Sequence, residues 1–386
     1  MNTSLVYLDN SATTKPFQEV METFMKVNEQ YYANPASIHQ AGFEANMLLT
    51  RAREQLAKIL NTTTSEVIFT SGGTESNNLA IFGLAAMLQY RGKHIITTKI
   101  EHPSILEVMK KLQQDGYDVD YLSVNEMGVV SLQELQQTLR PDTIIVSIMH
   151  VNNEMGAIQP IQQIAKMVHQ NSRAYFHVDA VQSFGKLPIQ FAQDSGPDVI
   201  TISGHKIHAL KGTGLLAFRK SIAITSQIIG GGQEFGLRSG TVSVPQAVAL
   251  AKAARIVIEN QKQSMQNYKR WNADLHAFLR SFHEHVYLLS SEQGAPHIVS
   301  FSVKHLKGEI LINALQQQHV IVSTSSACSS KQVSVSHVIK ALLIPAPFEA
   351  GVLRLSFGEM TTNLDIKTFQ SVFTSVMQQL KGDSIT

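Results

Sequence analysis

Lys206 stands in Ser203-Gly204-His205-Lys206, and Asp179 stands 27 positions before it in Phe176-His177-Val178-Asp179-Ala180-Val181-Gln182. A lysine that closes an apolar run, Pro197 to Ile202, next to a histidine and small residues is poorly placed for solvation. An ordinary lysine amine titrates near ~10.4 and is almost wholly protonated at neutral pH, so it attacks a carbonyl only when desolvated or set near other positive charge. The pattern is that of a Schiff-base lysine. Alone, Lys206 would read as a surface lysine at a strand end. Asp179 ends a second apolar run, Ala174 to Val178, where a carboxylate without a partner is costly. It calls for a cation, and a pyridinium nitrogen held protonated so that its ring acts as an electron sink is one. A capping aspartate at a strand-to-helix turn is the plainer reading of the same position.

Thr70-Ser71-Gly72-Gly73-Thr74-Glu75-Ser76 follows an apolar strand and opens a helix, so backbone N–H groups and hydroxyls converge where an anion could sit. This is a phosphate cradle, to which Ser203 and His205 could add contacts. Neither of the glycine-rich nucleotide patterns is present. Asp179, Lys206 and the Gly73-Thr74 cradle together fit pyridoxal 5'-phosphate better than three unrelated turns. Cys328 is the one cysteine, in Ser323-Thr324-Ser325-Ser326-Ala327-Cys328-Ser329-Ser330-Lys331. An inert core cysteine keeps apolar company, whereas this one sits in a polar loop, which points to a reactive thiol. An ordinary thiol, with a pKa near ~8.5, is only a few per cent thiolate at neutral pH, so the site must activate it. His102 and Lys331 are the candidates.

Short β-branched runs alternate with helical patterns: Val67 to Thr70 before a helix from Thr74, His94 to Thr97 before a helix from Pro103, Thr143 to Ser147 before a helix near Pro160. The expected fold class is α/β, a large domain with a mainly parallel, mixed sheet covered by helices, with active residues at the carboxyl ends of strands. Strands near Ala174-Val178, Val199-Ser203 and Leu215-Phe218 continue it, the last two as an antiparallel edge or hairpin. A helical stretch from Pro245 to about Leu279 leads into a smaller C-terminal α+β domain with strands near Val286-Leu289, His297-Val303, Val320-Val322 and Val352-Ser356. The expected division is an N-terminal segment 1–15 packing with the small domain, a large domain 16–260, and a small domain 261–386 carrying the Cys328 loop.

The 386 residues are 44% hydrophobic and 16% charged, with a formal net charge of +2, which gives no electrostatic argument for nucleic acid or membrane as primary partner. One cysteine excludes an internal disulfide framework and a multi-thiolate metal site. No apolar run is long enough to span a bilayer and no targeting signal opens the chain, so the expected location is cytoplasmic.

Nine segments occur in the order found in cysteine desulfurases: Asp9-Asn10-Ser11-Ala12-Thr13-Thr14, Asn34-Pro35-Ala36-Ser37, Thr70 to Asn78, Glu101-His102, Val151-Asn152-Asn153-Glu154-Met155-Gly156, His177 to Gln182, Ser203 to Lys206, Arg238-Ser239-Gly240-Thr241 and Ser326-Ala327-Cys328-Ser329. From near residue 6 to about residue 375 the chain resembles the NifS/IscS-like branch of the class V, fold type I pyridoxal-phosphate enzymes. The resemblance implies that Lys206 carries the cofactor as a Schiff base, Asp179 pairs with the ring nitrogen, Gln182 bonds the phenolic oxygen, and His102 stacks on the ring. It implies that Gly73, Thr74, Ser203 and His205 hold the phosphate, with Thr241 reaching in from the other subunit of a homodimer. Asn153 and Arg354 would orient the substrate, L-cysteine, and Cys328 would take its sulfur as a persulfide for a protein acceptor in iron–sulfur assembly or tRNA thiolation.

The chain departs from that pattern at Ile207-His208-Ala209-Leu210, where many relatives have Tyr-Gly-Pro, and at Gln233 and Phe235, where His and Arg are more usual. It also stops at Thr386, without the longer tail many relatives use to dock a scaffold protein. Rival readings are a selenocysteine lyase or another class V lyase or aminotransferase, and, from another class, a catalytically idle scaffold that binds partners.

Overall fold

The computed structural model describes residues 5–191, 196–324 and 335–383. Its largest sheet has seven strands: β2 (Val67–Thr70), β3 (His94–Thr98), β4 (Asp118–Leu122), β5 (Thr143–Ser147), β6 (Tyr175–Asp179), β7 (Val199–Ser203) and β8 (Gly214–Phe218). They lie in the order β2-β8-β7-β6-β5-β3-β4. β4, β3, β5, β6 and β7 pair in parallel, and β8 runs antiparallel to both its neighbours. The carboxyl ends of the other six strands therefore open on one side, where ligands collect in such sheets. β2, β3, β5, β7 and β8 are buried throughout, as strands covered on both faces must be. The expected antiparallel pairing of β7 and β8 is present, but β8 is not an edge: β2 lies outside it, bonded from Thr70 to Gly214. That placement depends on Gly214, since a Cβ there would come within 2.6 Å of the Gly72 backbone. β4 had no clear sequence signal, because it is an edge strand whose two aspartates alternate with Val119 and Tyr121.

Helices α3 (Gly73–Leu88), α4 (Pro103–Gln114) and α6 (Ile161–Asn171) begin where β2, β3 and β5 lead out. The crossings explain the near-continuous apolar strands and the amphipathic α4 and α6, while α3 is apolar nearly all round and largely buried. α7 (Val244–Arg280) is a single helix of 37 residues, started by Pro245 within its first turn and free of glycine thereafter. At ~1.5 Å per residue it is about 55 Å long. Its first half, through Leu250, Ala254 and Val257, packs into the core under the large sheet beside α1 (Gln18–Gln30) and α2 (Gln40–Leu60). Its second half gives Tyr268, Trp271, Leu275 and Leu279 to a separate core.

That second core lies under an antiparallel sheet of β9 (Val286–Leu288), β10 (Ile298–Val303) and β12 (Val352–Ser356), in the order β12-β10-β9. The period of two sorts the faces. Val299, Phe301 and Val303 of β10, with Leu353 and Leu355 of β12, enter the core, which throws Arg354 and Ser356 to the opposite side. Phe373 of α10 (Asn363–Asp383) meets Phe278, Phe282 and Phe301 edge-on and Phe369 in a stack. A fully buried ring of this kind is worth on the order of 3–5 kcal/mol relative to alanine. α8 (Gly308–Gln317) and α9 (His337–Leu342) complete this part. β1 (Val6–Tyr7) pairs in parallel with β11 (Val320–Ile321), and an Asp9–Ser356 bridge continues the attachment. Among the described residues, no helix is long and apolar enough to cross a membrane.

Candidate active site

A cavity of about 480 Å³ opens at the carboxyl ends of the parallel strands, walled on its far side by β12 and the start of α9. Lys206 lies at its floor, in the 3₁₀ turn Gly204–Lys206 that follows β7. Its Nζ donates to the carbonyls of Ser11 at 2.5 Å and Ala12 at 2.6 Å. The N-terminal segment is laced to this turn elsewhere as well: Thr14 N and Oγ1 both donate to the His205 carbonyl at 2.9 Å, and His205 Nδ1 lies 3.1 Å from Thr13 Oγ1. Burial, with Lys206 next to it, pushes His205 down to about 4, so its imidazole is neutral.

Asp179 is buried at the end of β6. Its Oδ1 accepts from the Val181 N–H at 3.0 Å, the turn-capping bond of the plainer reading, while Oδ2 accepts from Asn77 Nδ2 at 2.9 Å on the cavity side. The two readings are compatible, since each uses a different oxygen. Gln182 follows on the same turn, its Nε2 donating to Ser11 O at 3.0 Å and its Oε1 buried without a partner. Gly73 and Thr74 open α3, and a Cβ at Gly73 would meet Val181 Cγ2 at 3.0 Å, so the bare backbone faces the cavity beside Ser203.

His102 is both the N-cap of α4 and a wall of the cavity. Its Nδ1 accepts from the Ser104 N–H at 3.1 Å and lies 2.8 Å from Ser104 Oγ. Burial pushes the ring below its usual range and Lys206 adds to this, with Asp179 pulling the other way. Glu101, just before it, is fully enclosed, accepts from Thr98 Oγ1 at 2.7 Å and Met149 N at 2.9 Å, and is pushed up to about 8 by burial.

Arg354 projects from β12 into the cavity, its Nη1 on the Asn153 carbonyl at 2.9 Å and its Nη2 on Asp9 Oδ1 at 2.7 Å, with Nε buried and unpartnered. Arg354 thus makes an ion pair with Asp9 and keeps a buried Nε–H without a partner on a side chain that lines the cavity. Asn153 lines the same wall. Glu154, also on the wall, accepts from Ser336 Oγ at 2.7 Å and is pushed up to about 7 by burial.

Thr241 is not in this cavity. It borders a separate hollow of about 210 Å³ with Ser71, Gly212 and Arg238. Cys328 and Lys331 lie outside the described residues, but their described flanks meet the site: Ser323 exchanges backbone bonds with Arg354 at 2.7 and 3.2 Å, and Val335 and Ser336 line the cavity. Of the two internal departures, His208 donates from Nδ1 to Lys15 O at 2.8 Å and stacks on Phe17, bracing the entry to α1. Phe235 covers the Arg53 guanidinium at 5.1 Å, next to a buried Arg53–Glu234 ion pair that also holds Phe69 N at the start of the cradle.

Sequence reasoning assigned no role to Ser11, Ala12, Asn77 or Glu154, although each lies inside a segment it had singled out. His337 carried no signal, and it too lines the cavity.

Residues 6–369 match the aminotransferase class-V family. A cysteine desulfurase of Trichormus azollae is 39% identical over 380 residues, 98% of this chain and 94% of that protein. The cysteine desulfurase IscS of Klebsiella pneumoniae subsp. pneumoniae is 41% identical over 367 residues, 94% and 90% of the two chains. A solved NifS-like protein superposes with a TM-score of 0.91 at 35% identity, covering 97% of this chain and 100% of its own, and one from Rickettsia africae scores 0.85 at 29% with the same coverage. Matches that run through both sheets and both walls of the cavity, rather than through one motif, mean that this chain belongs to the aminotransferase class-V family.

Proposed function

We propose that the protein is a pyridoxal-phosphate-dependent cysteine desulfurase, converting L-cysteine to L-alanine and taking the sulfur onto Cys328 as a persulfide. The observation that carries this reading is the convergence of Lys206, Asp179, Gln182, His102 and Arg354 on one cavity in a chain whose relatives of near-equal length are cysteine desulfurases.

The cavity suits the cofactor. Ser11 Oγ, Asn77 Oδ1, Gln182 Oε1 and Arg354 Nε are buried on its walls without partners, and the Gly73 turn offers a close backbone approach for a phosphate. Buried polar atoms of this sort are ordinarily satisfied, so the donor and acceptor set is that of a site built around a polar guest. When bound, pyridoxal phosphate supplies an electron-withdrawing ring that stabilises negative charge at the substrate α-carbon.

Gly73, Thr74, Ser203 and His205 would hold the phosphate, Asp179 Oδ2 the ring nitrogen and Gln182 the phenolic oxygen, with His102 against the ring face. The side-on edge of Arg354 would take the substrate carboxylate in a two-pronged contact beside Asn153. Lys206 would exchange its covalent hold for the substrate amine and then move the α-proton at Nζ, its ammonium form steadied by the Ser11 and Ala12 carbonyls. Cys328 Sγ would bond to the substrate sulfur as the substrate Cβ–S bond breaks, and the remaining fragment would leave as alanine after protonation. Further parts of the same reading are a homodimer in which Thr241 reaches the neighbouring subunit's phosphate, a large unit at 16–260 and a small one at 261–386 with 1–15 attached to it, a cytoplasmic location, and a protein acceptor in iron–sulfur assembly or tRNA thiolation.

With L-cysteine and a reducing thiol, the purified cofactor-loaded protein is expected to release alanine and sulfide in equal amounts. Turnover of selenocysteine with none of cysteine would instead establish the selenocysteine lyase reading, and turnover of neither would favour the scaffold. Asp179→Asn is expected to fold and bind the cofactor yet lose most activity, because a neutral amide cannot keep the ring nitrogen protonated. The expected loss is on the order of 100-fold or more in kcat/KM, about 2.7 kcal/mol of transition-state stabilisation. Near-normal alanine production by this variant would reduce Asp179 to its capping bond with Val181.

A further inference from the structure

We infer that Lys186 is a buried cation that balances the negative charge of the bound cofactor, an assignment that rests on the cofactor part of the reading above and not on the sulfur step. Lys186 closes the turn that follows Asp179 and also carries Gln182. Ser183 N and Phe184 N donate to the Ala180 carbonyl at 3.1 and 2.9 Å, and Lys186 N and Leu187 N to the Ser183 carbonyl at 3.0 and 2.8 Å. Gly185, at φ 77°, lets this turn lie close on α7, where a Cβ would come within 2.6 Å of Val257 Cγ2. The lysine is thereby folded inside. It is 6% exposed, and its Nζ is buried with no hydrogen-bond partner among the described residues. Lysine is almost never enclosed unless it is paired, because an ammonium loses its hydration there. A buried, unpaired one beside an active site calls for a role in that site.

Lys186 stands behind the cavity wall, and the charges that act on it are those of the wall. Burial pushes its amine down to about 7, and the positive charges of Lys206 and Arg354, which line the cavity, push the same way, while Glu359 pulls it up. Glu359 is otherwise engaged, accepting from Tyr268 Oη at 3.0 Å and Ser264 Oγ at 2.8 Å. The other ionisable groups around Lys186 are His205 and His208 after β7 and His297 before β10. Burial pushes the first two down to about 4 and His297 well below its usual range, and Lys186 adds to each shift. All three rings are therefore neutral and supply no countercharge. Without the cofactor, the amine is about half charged at neutral pH.

Pyridoxal phosphate brings to the cavity a phosphate of about −1.5 to −2 charge and a phenolic oxygen. That charge attracts a cation fixed behind the wall, across protein that screens less than water. The Lys186 pKa therefore rises on binding, and its Nζ lone pair takes a proton from the medium with no change in any bond of the cofactor. The effect is reciprocal, so each unit by which the cofactor raises that pKa is about tenfold in the cofactor's affinity for the charged over the neutral lysine. Because the bound value lies above the free one, this gain is fully present below about 7 and is lost as pH rises through the bound pKa.

Pyridoxamine 5'-phosphate carries the same ring and phosphate but forms no covalent bond with Lys206, so it reports this charge without the chemistry. Calorimetry of its binding to the cofactor-free protein, in two buffers of different protonation enthalpy and about one pH unit above the free Lys186 value, counts the protons taken up. The wild type is expected to take up more than Lys186→Met, and the protons of every other group cancel in that difference. Below pH 7 the variant is expected to bind about tenfold more weakly, with the gap closing as pH rises. Methionine also replaces an unpaired buried amine by an apolar chain of similar length, so the cofactor-free variant is expected to melt no lower than the wild type. A lysine that only braces the turn would give the opposite pair of results, a lower Tm with binding unchanged. Equal proton uptake by the two proteins, or an affinity within about twofold of wild type below pH 7, overturns the assignment. Lys186→Gln gives the same comparison if the methionine variant does not fold, and a wild type whose affinity does not decline above pH 7 overturns the assignment by itself. A wild type that binds neither pyridoxamine phosphate nor pyridoxal phosphate removes the cofactor reading and this assignment with it, whereas one that binds both and fails only the proton count loses Lys186 alone.

Discussion

Lys206→Ala is expected to give a folded but colourless protein that releases its cofactor on dialysis and makes no measurable alanine. Two losses combine. Without Nζ there is no covalent hold on the cofactor, and no amine at the cavity floor to move the α-proton, a role worth ~10²–10⁴-fold where it has been removed from other enzymes. The variant also takes the Nζ donor at 2.6 Å from the Ala12 carbonyl and the one at 2.5 Å from the Ser11 carbonyl, which keeps Gln182 Nε2 at 3.0 Å. Losing hydrogen bonds of this kind costs about 0.5–1.5 kcal/mol each, so a fall in Tm of a few degrees accompanies the change in colour without causing it. Absorption spectra before and after dialysis, with alanine quantified in parallel, check the prediction. A wild type that gains no visible band on adding pyridoxal phosphate would sink the assignment of Lys206, and so would a variant that keeps its colour through dialysis.

Cys328→Ala is expected to separate cofactor chemistry from sulfur chemistry. Every residue proposed to hold the cofactor, from Gly73 to His205, lies on the large sheet or its turns, and none is within the segment that carries Cys328. The variant should therefore stay yellow and still respond spectrally to L-cysteine, yet form no protein persulfide and lose catalytic alanine by ~10³-fold or more, as enzymes deprived of their nucleophile do. Mass spectrometry after incubation with cysteine is expected to show one added sulfur on the wild type and none on the variant. Turnover by Cys328→Ala at the wild-type rate would mean that the thiol is not the acceptor, and a lyase that eliminates sulfur without one would become the better reading.

Both predictions rest on residues that were legible in the linear chain. Lys206, Asp179 and the Gly72-Gly73 turn each end or follow an apolar run, and a residue at the end of a buried parallel strand has one place to point, so type and position together were enough. The smaller sheet was readable for a similar reason. Period-two alternation in Val299-Ser300-Phe301-Ser302-Val303 and in Leu353-Arg354-Leu355 marks a strand with one face in a core. Even the side of β12 that Arg354 occupies follows from that pattern.

The tertiary structure decided what spacing cannot encode. Strand order is set by long-range pairing, so nothing local told that β2 would lie outside β8 or that β4 would be the opposite edge. The partners of the site's charges come from far away in sequence: Asp9 on Arg354, the Ser11 and Ala12 carbonyls on Lys206, Asn77 on Asp179. His337 is the clearest case. It lies in a short helix with no motif to mark it, and only the closure of the C-terminal part over the strand ends brings it to the Glu101 carbonyl. Its place on the cavity wall is a property of that contact and of no feature of the sequence around it.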